Sequence, residues 1–112
     1  MQQRAEALGL AHKLSVHRDL SSTGDVPFDT VVCLDVLEHL PDPSAQLMEF
    51  HGRMAPDAIA LLNWYFFKGH NGEYPFHFDD PELVDRFFRT LQAQFLEVFH
   101  PLLITARLYR PA

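Results

Sequence analysis

FDTVVCLDVLEHLPDP, residues 28–43, is the stretch whose reading decides the fold. Thr30 to Leu34 is an apolar, β-branched run that ends in a carboxylate, Asp35. One turn later stand a second carboxylate and an imidazole, Glu38 and His39, and Pro41-Asp42-Pro43 restarts the chain as a helix. A buried strand that delivers polar groups at its C-terminal end is how open α/β sheets build ligand sites.

The totals set the bounds. A chain of 112 residues makes one domain. The net charge is −6, and its 9 Lys and Arg are scattered without a basic cluster. That excludes a nucleic-acid footprint and attraction to an anionic membrane. The single cysteine, Cys33, sits within the apolar run, where a lone Cys acts as a small hydrophobe. It has no partner for an internal disulfide, which fits a reducing, cytoplasmic setting. The start, MQQRAEALGL, lacks the apolar run of a signal peptide, and no apolar stretch reaches membrane-spanning length.

Outward from the central run, residues 1–9 read as the end of a helix, with Gly9 as its stop. Lys13 to His17 alternates polar and apolar, the pattern of a half-exposed strand ending at Asp19. Ser21 to Pro27 is a loop by composition. Thr30 to Leu34 is apolar on both faces, as a strand covered on both sides by helices would be. Asp42 as N-cap and Pro43 at the first helical position open a helix with Leu47, Phe50 and Met54 on one face. Ala55-Pro56-Asp57 ends it, and Ala58 to Phe66 reads as a second fully buried strand. Lys68 to Asp79 is a long loop of the kind that carries function. Asp80-Pro81 caps another helix, with Leu83, Phe87, Leu91 and Phe95 facing the core. Phe95–Phe99 and Leu102–Tyr109 predict an antiparallel hairpin across His100-Pro101. This order predicts an α/β sheet, mainly parallel, with helices on both faces and a C-terminal antiparallel hairpin.

FDTVVCLDVLEHLPDP, followed by a helix, a Pro turn and an apolar strand, resembles the class I S-adenosylmethionine-dependent methyltransferases. The likeness is to the branch whose fourth strand ends in a D-V-L-E-H-L run. PFHFDDPELVDRFF is similar to the start of that family's last helix, and the closing strand pair to its C-terminal hairpin. The resemblance implies a partial Rossmann-like methyltransferase sheet and S-adenosylmethionine as cofactor. It places Asp19 near the adenine, Leu20 beside that ring, and Leu34, Asp35 and Val36 along the methionine moiety. A small molecule would accept the methyl group, positioning would supply most of the catalysis, and His39 would be the base where the acceptor must lose a proton.

The departures from the family are as informative. No G-x-G occurs in the chain, so the family's glycine-rich cofactor loop is absent, as is the acidic residue that grips the ribose. The family's K-P-G-G turn stands here as Ala55-Pro56-Asp57-Ala58. The chain therefore reads as the C-terminal half of the domain, lacking its first two strands: a piece of a longer methyltransferase, or a non-enzymatic remnant or interaction module if Met1 is the natural start. Without those strands, the strand at Val31 would present an apolar edge, which predicts association into a homo-oligomer or pairing with the absent half.

Asp35, Glu38 and His39 form an acid-x-x-acid-His run. Methyltransferases of ubiquinone synthesis and of small-RNA 3′ ends carry a similar run that holds a divalent ion. The metal-assisted alternative takes Asp35, Glu38, His39 and His77 as ligands, with His70 as a substitute for His77. The other reading is that Glu38 and His39 stabilise a turn. Trp64 to Phe67 line a pocket or pack in the core, and Phe76 and Phe78 are further pocket candidates. Asp42 and Asp80 are read as helix caps.

Overall fold

A computed structural model describes residue 9, residues 13–103 and residues 105–112. The helix expected over residues 1–9 lies outside the described residues, apart from Gly9, whose φ of +71° suits a helix stop. The described chain runs β1 (Phe28–Cys33), α1 (Pro43–Arg53), β2 (Met54–Leu62), α2 (Pro81–Gln94), β3 (Phe95–Val98) and β4 (Arg107–Pro111). Short 3-10 turns occupy Ser21–Thr23 and Leu37–His39. The four strands form one sheet in the order β1-β2-β4-β3.

The sheet is mixed. β1 and β2 are parallel, while β4 runs antiparallel to both β2 and β3. β1, β2 and β3 thus share one direction, but only one ladder is parallel, which corrects the expectation of a mainly parallel sheet. The closing hairpin is present with a longer connection than His100-Pro101. Leu103 N donates to His100 O at 3.1 Å, and Phe99 and Leu102 stay in solvent, 86% and 81% exposed, because no core lies beneath them.

Among the described residues, helices cover one face of the sheet, not two. Val31 and Cys33 of β1 and Ala58, Ala60 and Leu62 of β2 are buried in one cluster with Leu47 of α1 and Phe87 and Leu91 of α2. The hydroxyls of Ser44 and Thr90 hydrogen-bond across the two helices. The opposite face is open, with Val32 62%, Ile59 41% and Leu96 47% exposed. The unbroken apolar runs of β1 and β2 suggested strands buried on both faces, and in each only alternate residues are buried. β1 is an edge strand, as expected.

Residues 13–17, expected as a strand, lie outside any ladder, with residue 13 in a turn and residues 14–17 without regular secondary structure. Five alternating residues make a strand only where a ladder receives them, and beyond β1 the described residues provide none. A polar turn follows, in which Asp19 accepts from Ser21 Oγ at 2.7 Å and Ser22 N at 3.0 Å, and His17 contacts Ser15 and Ser22.

The helix starts agree with the capping argument in one case and in part in the other. Asp42 Oδ1 accepts from Ala45 N at 3.1 Å. Asp80 precedes Pro81 without a side-chain cap bond, and its carbonyl takes Val84 N at 3.0 Å. α1 passes directly into β2 at Met54, and the expected Ala55-Pro56-Asp57 turn lies within that strand as an irregularity. The β1–β2 ladder breaks after Phe28–Met54 and resumes at Thr30–Ile59.

Candidate functional site at the carboxyl ends of β1 and β2

The two parallel strands finish side by side, with Asn63 N donating to Cys33 O at 3.3 Å. Immediately beyond β1, Asp35 takes a left-handed backbone with φ of +59°. Aspartate tolerates that region better than bulkier residues. Two bonds to Asn63 hold it: Asp35 N donates to Asn63 Oδ1 at 2.6 Å, and Asn63 Nδ2 donates to Asp35 Oδ1 at 3.1 Å. The chain then closes the 3-10 turn, with His39 N donating to Val36 O and Leu40 N to Leu37 O. Leu37 is fully buried and anchors that turn, and Glu38 is drawn in with it to 2% exposure.

The long loop brings the third member. Phe78 N donates to Glu38 O at 2.8 Å, which fixes the loop's end against the turn. Gly69 allows the loop to reverse: its φ is +91°, and Glu73 fills the space a Cβ would need. Glu38, His39 and His77 then offer one donor atom each, all within 4.8 Å of one another. The rings of His39 and His77 meet edge to face at 4.6 Å, and His77 stacks on Tyr74 at 5.0 Å. Tyr65 completes an aromatic wall against Tyr74 and His77.

Residues 64–67 divide by alternation. Trp64 and Phe66 pack on Phe87 in the core, while Tyr65 and Phe67 meet loop rings. His70 lies against Phe67, outside the cluster. Phe76 is 79% exposed.

A cavity of about 360 Å³ opens beside the same strand end. Its lining includes Asp19, Leu20, Cys33, Val36 and Phe50. Asp19, Leu20 and Val36, predicted to touch a cofactor, thus face one space, whereas Leu34 and Asp35 are not among its walls. Hydrogen bonds from Ser21 and then Ser22 hold the Asp19 carboxyl below its ordinary range. Arg53, which the sequence did not single out, secures this loop: its guanidinium donates to Leu20 O at 2.8 Å and Val26 O at 3.3 Å and lies over the Phe28 ring.

Burial pushes the Cys33 thiol up from 9.0 to about 11, and the nearby Glu38 carboxylate adds to the shift. A shift of two pH units leaves about a hundredfold less thiolate at neutral pH. Iodoacetamide is therefore expected to alkylate Cys33 in the folded chain about a hundredfold more slowly than an ordinary thiol at pH 8. A rate equal to that of a free thiol would contradict the placement. Because the folded-state value is raised, this contribution to stability is complete below pH 9 and is lost as the pH rises toward about 11.

No protein-family profile matches the chain, and no curated protein sequence does. Among the described residues no helix is long and apolar enough to cross a membrane.

Proposed function

We propose that this chain is part of an S-adenosylmethionine-dependent methyltransferase with a Rossmann-like sheet, acting on a small-molecule acceptor. The observation that carries the reading is the convergence of Asp19, Leu20 and Val36 on one cavity at the carboxyl end of β1. The cavity falls in the range of about 300–1,000 Å³ usual for small ligands. Leu20 would flank the adenine, and Val36 would lie along the methionine moiety. The Ser21 and Ser22 bonds both fall on Asp19 Oδ1, so Oδ2 would serve the ligand. His39, exposed beside His77, would take a proton from an acceptor hydroxyl. The cofactor supplies an activated methyl group, so apart from the proton taken by His39 these residues would orient and desolvate.

Cys33 lines the same cavity, and this provides the test. S-adenosylhomocysteine is expected to slow Cys33 alkylation further, in a saturable way. Alkylation that ignores it at every concentration would reject the cofactor reading and favour a non-enzymatic module.

A metal-assisted reaction is a second reading, favoured by a separate observation. Glu38 Oε2 and His77 Nδ1 are buried without a hydrogen-bond partner, and both belong to the Glu38-His39-His77 cluster. A buried polar atom without a partner costs about 1–3 kcal/mol, and a cation would relieve both atoms at once. One carboxylate and two imidazoles suit manganese, iron, cobalt or zinc better than calcium. Such ions bind at about 2.0–2.2 Å, so the donors would close inward. A divalent ion there would lower the pKa of a substrate hydroxyl. Asp35, expected as a fourth ligand, is engaged with Asn63 instead.

A further inference from the structure

We infer that Asn63 is the positioning residue of the Glu38-His39-His77 site, and that Asp35 serves this site as half of a clamp and not as a ligand. The inference rests on the metal reading above. Asp35 is the one non-glycine residue with positive φ among the described residues. A left-handed conformation is unfavourable for a non-glycine residue, less so for aspartate than for most, and it persists where the surroundings hold it. The surroundings here are one side chain. Asn63 accepts from the Asp35 amide and donates to the Asp35 carboxylate, while its own amide is fixed to Cys33 O. The last residue of β1, the strained residue and the first residue beyond β2 are thereby locked together.

That lock decides where the next residues go. The reversal at Asp35 sends the chain into the Leu37–His39 turn, which buries Glu38 within ligand-sharing distance of His77; Glu38 Oε2 and His77 Nδ1 are both without a partner. Without the clamp, Asp35 would relax toward ordinary backbone and the turn would swing, separating Glu38 from a histidine held by a different loop. Outer residues that orient ligands change metal affinity by about 10–100-fold when removed. The clamp needs one donor and one acceptor on Asn63, with an acceptor on the Asp35 side chain. Two carboxylates facing each other would repel; an exchanged pair, with the amide at 35 and the carboxylate at 63, would again have one donor between them. The backbone amide of residue 35 donates in either arrangement.

The test is Mn2+ uptake by the purified chain, followed as loss of the free-ion paramagnetic resonance signal, with far-UV circular dichroism on each variant. Asn63→Asp alone is expected to weaken Mn2+ binding at least tenfold. Asp35→Asn alone keeps the acceptor and is expected to stay within about twofold of the parent. Asp35→Asn combined with Asn63→Asp is expected to recover most of the loss, which a purely stabilising role of either residue would not produce at unchanged helicity. Unchanged binding in Asn63→Asp, or a loss in Asp35→Asn as large as that of a ligand, would overturn the inference while leaving the metal site standing. A parent chain that takes up no Mn2+ would overturn both.

Discussion

Replacing Phe87 with alanine is expected to cost the fold about 3–5 kcal/mol, the range for deleting a buried ring. Phe87 is fully buried on α2, and its ring meets Trp64 at 5.1 Å, Phe66 at 4.9 Å and Phe88 at 5.3 Å. Few neighbours can collapse into the space, because the walls are themselves large rings. The described residues form one core cluster, and a domain of this size has a margin of only about 5–15 kcal/mol. Urea unfolding monitored at Trp64, the single tryptophan, reads the change directly. A loss under about 1 kcal/mol would mean that α2 does not pack on the sheet as described.

The second large effect runs in opposite directions for stability and for binding. Glu38→Gln removes a carboxylate whose Oε2 is buried without a partner and supplies an amide that can donate to His77 Nδ1, the other orphan. The metal-free chain is expected to gain about 1–3 kcal/mol, the cost of the unmet bonding, and to lose Mn2+ uptake. A residue kept only to stabilise a turn would give the reverse, a less stable chain. Thermal unfolding with and without Mn2+ separates the two: the parent should gain melting temperature with the ion and the variant should not. A variant still stabilised by Mn2+ would remove Glu38 from the ligand set.

Much of the architecture was legible because local rules carried it. Asp42-Pro43 gave α1 its start, the spacing of Phe87 and Leu91 gave the buried side of α2, and the apolar run through Val31 gave β1; Phe95, expected on that helix, is buried as the first residue of β3 instead. Faces and partners were not legible. An apolar residue reads the same whether a helix covers it or not, so the run through Val32 predicts burial although Val32 is 62% exposed. The alternation of Lys13–His17 is identical to that of a paired strand, but pairing depends on chain elsewhere. Glu38, His39 and His77 could be gathered from residue type and spacing, since two adjoin in one turn and the third lies in a long histidine-bearing loop. Asn63 and Arg53 carried no signal. Their roles come from hydrogen bonds to residues 28 and 33 positions away, which no local pattern encodes.

The cavity beside β1 is the central claim, and calorimetric titration of the chain with S-adenosylhomocysteine tests it most directly, run in parallel on Val36→Trp. Val36 is 43% exposed at the cavity wall, so the larger ring can be carried without disturbing the core while it fills the space. Saturable binding of one ligand per chain, abolished in Val36→Trp with unfolding unchanged, is the predicted result. Absence of binding to the parent, or equal binding to the variant, would contradict the cavity as the cofactor site.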